Sequence, residues 1–246
     1  MKLAYFRFYE ELNEFLPKEK RKVSFLYEFL GKPSVKDAIE ALGVPHVEVD
    51  LVLVNGESVD FSYNLKGGEN ISVYPVFEGL DITPVIRLRE KPLREVKFIL
   101  DAHLGRLAKY LRLCGFDTLF SSRYSDPEIV HVAEKEKRII LTRDRDILKN
   151  NRVTHGYWIR SQKHDEQLKE VFSRFDLKDQ ISFFERCIRC NTILEDVRKE
   201  DITDRLKENT RRYYSRFKLC PDCDRIYWSG SHYEKMKSLI TQVIKE

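Results

Sequence analysis

The stretches VKFILD (residues 96–101) and RIILTRDRD (residues 138–146) each carry a short apolar segment followed within three residues by acidic side chains. Three consecutive apolar residues in each, Phe98–Leu100 and Ile139–Leu141, without polar alternation predict strands covered on both faces, as inside a parallel sheet. Between them, HLGRLAKYLRLC (103–114) repeats apolar residues at helical spacing and stops at Gly115. FDTLF (116–120) is a further strand, and Ser125 opens a helix through about Glu136. GYWI (156–159) and a helix near residues 163–173 continue the rhythm. Strand and helix in turn predict an α/β fold, a parallel sheet of three or four strands with helices outside.

Ligands bind such sheets at the carboxyl ends of the strands. Asp101 follows one strand, and Asp144 and Asp146 follow the other, so all three are expected in one crevice. Three carboxylates repel one another unless a cation sits among them, and hard ions such as Mg²⁺ or Mn²⁺ take an oxygen-rich site. Held by aspartates, such ions supply the chemistry of phosphodiester hydrolysis. Asp101 and Asp144 are the expected ligands, with Asp146 on a second ion or orienting water. Arg143, Arg145, Arg106 and Lys109 are candidates for the scissile phosphate, and Arg106, Lys109 and Arg112 make one basic helix face. The competing reading is local: aspartates often follow strands, Asp144 suits the cap of a short helix at DILKN, and a basic helix face is often merely solvated. His103 is a local hydrogen bonder or faces the crevice. Asp126 and Glu128 add a second acidic contribution. Ser125 and Glu128 form a capping box, so Asp126 is the less committed of the two.

Past residue 180 the pattern changes. Cys187-x-x-Cys190 and Cys220-x-x-Cys223 are separated by 29 residues. Two such pairs predict two knuckles closing a tetrahedron around a structural Zn²⁺, with a redox pair or a disulfide staple as the alternative. Cys114 stands apart in an apolar helical pattern, and His232 reads as part of the first turn of a last helix. Arginines from Arg186 to Arg225 interleave with Tyr213, Tyr214, Phe217, Tyr227 and Trp228. That is the composition of a surface for single-stranded nucleic acid, although some of these aromatics must build the module's small core.

Residues 1–80 read as a small α+β unit. Strands are expected over Met1–Phe8, residues 22–30, Val49–Val54 and Ile71–Phe77. Ser34 caps a helix at VKDAIEAL that Gly43 closes, and NGE and LKGGEN are turns. Residues 81–95, with two prolines and several charges, read as a linker. The expected organisation is therefore 1–80, a linker 81–95, a core 96–180, and a cysteine module with its final helix over 181–246.

The bulk numbers fit. Hydrophobic residues make up 42% of the 246 and charged residues 34%, which excludes disordered and fibrous classes. No apolar run approaches the length of a membrane span, and charges interrupt the first ten residues, so a soluble, cytoplasmic protein is expected. The net charge of +4 is uneven: residues 1–95 are net acidic and the remainder net basic, compatible with a nucleic-acid partner.

At DAHLGRLAKYLRLCGFDT, LTRDRDIL, the two C-x-x-C pairs and RIYWSGSH, the sequence resembles the ribonuclease domain named after the C-terminus of the nematode Mut-seven protein, a branch of the PIN-like nucleases. The resemblance spans about residues 96–240. It implies a PIN-like core whose carboxylates gather a divalent ion, with a zinc ribbon. The family's strand-end aspartate falls on Asp101, its D-R-D pair on Asp144 and Asp146, and its acidic helix-opening position on Asp126, with Glu128 beside it. VNGESVDF and GGENISVYPVF are similar to the ubiquitin-like β-grasp domain found ahead of this nuclease and related to sulfur-carrier proteins. Gly67-Gly68 lies in a turn and offers no free end, which implies docking to a protein partner or orienting substrate in place of carrying sulfur. The resemblance implies an endoribonuclease on single-stranded or structured RNA, in tRNA or rRNA processing. Rival readings are a non-catalytic RNA-binding adaptor and a toxin-like nuclease.

Overall fold

In a computed structural model, which describes residues 1–75, 96–175 and 177–245, the alternation of the first residues becomes strand β1 (Lys2–Phe8). Ala4, Phe6 and Phe8 are buried, while Leu3 and Tyr5 face outward, the period of two expected of a sheet with one covered face. β2 (Phe25–Phe29), β3 (Val49–Val54), β4 (Glu57–Val59) and β5 (Asn70–Pro75) complete a five-stranded sheet in the order β2-β1-β5-β3-β4. β1 and β5 run parallel and the other pairs antiparallel. The helix Val35–Ala41 buries Val35, Ala38 and Ile39, and its N-terminus is the expected capping box of Ser34 with Asp37.

The Asn55-Gly56 turn has positive φ at both residues, as a tight hairpin requires, and Gly67 and Gly68 also turn at positive φ. β4 was not foreseen, because three residues directly after a turn carry no periodicity of their own. The expected strand 71–77 is described only to Pro75, and the expected linker 81–95 lies outside the described residues.

β6 (Lys97–Leu100), β7 (Asp117–Phe120), β8 (Ile139–Thr142) and β9 (Gly156–Trp158) form a second sheet in the order β7-β6-β8-β9. β6 pairs parallel with both β7 and β8, with Leu100 level with Phe120 on one side and Leu141 on the other. All four residues of β8 are buried, the burial that its three consecutive aliphatic residues predict extending to Thr142. Helices Gly105–Leu113, Asp126–Glu136 and His164–Phe175 bury Leu107, Leu111, Ile129, Val130, Leu168 and Val171. The expected helix from His103 starts later, because Ala102–Leu104 is a 3-10 turn capped by Asp101.

A third sheet, β10 (Glu195–Val197), β11 (Phe217–Leu219) and β12 (Ile226–Tyr227), is antiparallel and carries the cysteine module. Short helices Lys199–Ile202 and Glu208–Tyr213 lie between β10 and β11, and Ser231–Lys245 is the last helix. By internal contacts the chain divides into two units. One comprises Met1–Glu95 with Asp144–Tyr157, the other Val96–Arg143 with Trp158–Glu246. Among the described residues, no helix is long and apolar enough to cross a membrane.

Candidate active site and metal centre

Asp101 leaves β6 at its carboxyl end and is 7% exposed. Its Oδ1 accepts from the His103 backbone N–H at 2.8 Å, while Oδ2 accepts from Thr142 Oγ1 at 2.6 Å and from the Arg143 backbone N–H at 2.7 Å. Three donors from two neighbouring strand ends thus hold the carboxylate in place. A carboxylate has about four acceptor sites, so one remains for a ligand. His103 Nδ1 lies 3.6 Å from Oδ1, with its ring largely in solvent. Thr142 is the residue that pattern reading passed over, and its signal was a polar β-branched residue ending an otherwise aliphatic strand.

Asp144 is the N-cap of helix Arg145–Leu148 and accepts from the Asp146 backbone N–H at 2.8 Å. Asp146 pairs with Lys149 at 2.9 Å, and both carboxylates are exposed. The segment is anchored inside its own unit. Arg145 donates to the Phe15 carbonyl at 3.3 Å with its guanidinium 5.1 Å from the Phe15 ring centroid. Lys36 donates to Asn151 at 2.8 Å, and the buried His46 bridges Glu40 and the Val153 carbonyl. Arg145 is thus engaged with Phe15, which its proposed phosphate role has to accommodate.

Asp126 is the exposed first residue of its helix. Glu128 closes the expected capping box through Ser125, whose backbone N–H and hydroxyl donate to Oε2 at 2.8 and 2.7 Å. Those bonds, the backbone one first, hold the Glu128 carboxyl below its ordinary range. Arg143 presents its main chain to Asp101 and to Trp158, whose indole donates to the Arg143 carbonyl at 3.2 Å. Arg106 and Lys109 are exposed, and Arg106 donates to Tyr110 Oη at 3.2 Å.

The basic helix face is shorter than expected. Arg112 is 4% exposed and donates to the carbonyls of Thr118, Ile188 and Arg189. The three-residue spacing was right, but the knuckle lies over the third member. Cys114 is fully buried, and burial pushes its thiol up to about 12, leaving an inert core residue.

The four cysteines meet. Their Sγ atoms all lie within 4.8 Å of one another, with Cys187 and Cys223 3.5 Å apart and Cys190 and Cys220 3.4 Å apart. A disulfide requires about 2.05 Å. Four thiolates about 2.3 Å from a tetrahedral Zn²⁺ stand about 3.8 Å apart, and the observed spacing suits that ion. The knuckles repeat one geometry. The first cysteine's carbonyl accepts from the N–H four residues on (Asn191, Asp224), and its N–H donates to the carbonyl five residues on (Thr192, Arg225). Asn191 and Asp224 both have positive φ, a conformation these short polar side chains tolerate. With all four positions filled by protein and none left for water, this is a structural zinc site. The hydroxyl of Tyr227 lies 3.0 Å from Cys187 Sγ, where it can donate to the thiolate.

The first knuckle is tied to the second sheet. Asn191 accepts from the Thr118 backbone N–H and donates to Asp117, which also pairs with Arg138 at 2.6 Å. Burial works against the Asp117 charge. The hydrogen bonds from Arg138 and Asn191, helped by the charges of Arg138 and Arg186, outweigh it and hold the carboxyl below the usual range.

The family model described as the Mut7-C RNAse domain matches residues 96–240, and the one described as Mut7-C ubiquitin matches residues 1–81. No curated relative matches the chain. Two crystal structures of the small archaeal modifier protein 1 of Haloferax volcanii are 19% and 20% identical to it. They cover 30% and 31% of this chain and 98% of their own, each with a TM-score of 0.25.

Proposed function

This chain belongs to the Mut7-C RNAse domain family, a metal-dependent nuclease preceded by a ubiquitin-like domain, and we propose that it is an endoribonuclease whose Asp101, Asp144 and Asp146 hold the catalytic Mg²⁺ or Mn²⁺. The observation that carries this reading is Asp101, a nearly buried carboxylate fastened by Thr142 and Arg143 to the end of the strand whose next residues are the D-R-D pair. Parallel pairing of β6 with β8 brings both strand ends to one edge, where α/β sheets bind ligands. The donors are all carboxylate oxygens, the set that hard divalent ions prefer. When bound, the ion supplies a nucleophile from water and neutralises charge on the scissile phosphate.

The residues themselves orient and attract. Thr142 and the Arg143 backbone N–H keep Asp101 in a single orientation. Asp126, uncommitted at its helix start, is the fourth acidic group, and Glu128, bound into the cap, is the least available. Arg143, Arg145, Arg106 and Lys109 draw the phosphate backbone in, Arg145 while it also holds Phe15. The substrate is single-stranded or structured RNA of the tRNA or rRNA class, met in the cytoplasm. The ubiquitin-like domain docks a protein partner or orients the substrate.

Cleavage of a structured RNA is expected to require added Mg²⁺ or Mn²⁺. Asp144→Asn should abolish it without loss of fold, since Asn caps a helix as well as Asp does. Undiminished cleavage by that variant, or cleavage indifferent to the added ion, would refute the assignment.

A further inference from the structure

A cavity of about 520 Å³ opens between the cysteine module and the start of the last helix. That is within the roughly 300–1,000 Å³ of small-ligand sites. One wall is aromatic and fixed from behind. Tyr214 and Trp228 pack against the buried Ile202, Leu206 and Phe217, and Tyr227 packs against Cys187, Leu194 and Cys220. Gly230 lets the Trp228 indole lie against the backbone, since a Cβ there would fall 2.6 Å from the indole nitrogen. Phe184 and Tyr233 also line the cavity and meet edge-on at 4.8 Å, and Phe184 holds φ at 74, a conformation that bulky residues rarely adopt. At the lip Tyr213 is 70% exposed, with the Arg212 guanidinium 5.7 Å from its ring centroid. Asn209 and His232 add polar groups to the rim.

We propose that this cavity is a nucleobase-binding site, taking an unstacked base of single-stranded RNA outside the catalytic carboxylates. Rigid aromatic walls supply stacking faces, and rim amide and imidazole groups can pair with a base edge. Charge complementarity selects the occupant: residues 207–218 hold five Lys or Arg against one Glu, which favours a strand with phosphates on either side of the bound base. The proposal rests on the ribonuclease reading for its choice of RNA, but its test does not depend on cleavage.

The probe is a single-stranded oligoribonucleotide with a central 2-aminopurine, titrated into the full-length, zinc-loaded protein without added Mg²⁺ or Mn²⁺. Stacking is expected to quench the probe. Tyr213→Ala, at an exposed position, should weaken binding about tenfold, the lower part of the range for losing one base–aromatic stack. Tyr213→Trp should restore it, and an oligomer abasic at the central position should bind both forms equally and more weakly. Absence of quenching, equal affinity of Tyr213→Ala and the unaltered protein, or full affinity for the abasic oligomer would overturn the site. So would an aromatic surface that serves only to join two copies, seen as a Tyr213-dependent dimer indifferent to RNA. Cleavage without quenching would refute the cavity alone, and quenching without cleavage the catalytic reading alone.

Discussion

Asp101 and Asp144 look equivalent in sequence, yet their surroundings set different demands. Asp101 is buried and accepts from two backbone N–H groups and one hydroxyl, whereas Asp144 is exposed and caps one turn of helix. An amide at position 101 replaces one acceptor oxygen with a donor, so one of those N–H or O–H groups faces another donor. Asp101→Asn is therefore expected to cost about 1–3 kcal/mol of stability as well as cleavage, and Asp144→Asn to cost cleavage almost alone. Urea unfolding of the two variants side by side checks this, and equal midpoints would contradict it. The position of Asp101 was legible because an acid directly after an apolar strand can lie only at the strand's end. Its partners were not legible: Thr142 is 41 residues away, and only pairing of β6 with β8 brings it near.

Single elements announce themselves where local signals agree, as in Asp126–Glu136 with its capping box and β8 with its three consecutive aliphatic residues. They stay hidden where three residues form a strand only because a neighbour offers a ladder, as in β4 and β10. The start of β7 shows how a neighbour also sets an element's electrostatics. Asp117 keeps its charge because Arg138 and Asn191 reach it from other elements. A carboxyl held below its unfolded value stabilises the fold at pH values above that unfolded value, about 3.9, and loses its contribution as pH falls through the folded value. Asp117→Asn is thus expected to cost about 2 kcal/mol near neutrality. The gap from the unaltered protein should narrow below about pH 4. Unfolding curves at pH 7 and pH 3.5 measure it, and a gap independent of pH would exclude the charge as its cause.

For the whole molecule, the zinc centre does more than close a loop. Its first knuckle carries Asn191, and the main chain of the same knuckle receives Arg112, so the cysteine-bearing turn and the second sheet share one hydrogen-bond network. One Zn per chain is expected by elemental analysis. Removing it should lower the thermal midpoint of the α/β core together with that of the cysteine module, with recovery on adding Zn²⁺ back. Two independent transitions, only one of them metal-sensitive, would show that the network does not couple them. The N-terminal sheet was legible from its turns and its capped helix. The grouping of Asp144–Tyr157 with residues 1–95 was not, because Phe15, Lys36 and His46 bear no pattern that points to residues more than a hundred positions away.

The order of elements, the acidic strand end and the four-cysteine centre were determined by sequence alone, since each is written in residues a few positions apart and enforced by local sterics, caps and thiolate chemistry. Tertiary structure alone decided which groups hold Asp101, that Arg112 is buried under a knuckle, and that Trp228 faces a cavity. Those outcomes depend on which distant segments share a dry interior, where every donor must find an acceptor, and no local stretch of chain specifies that.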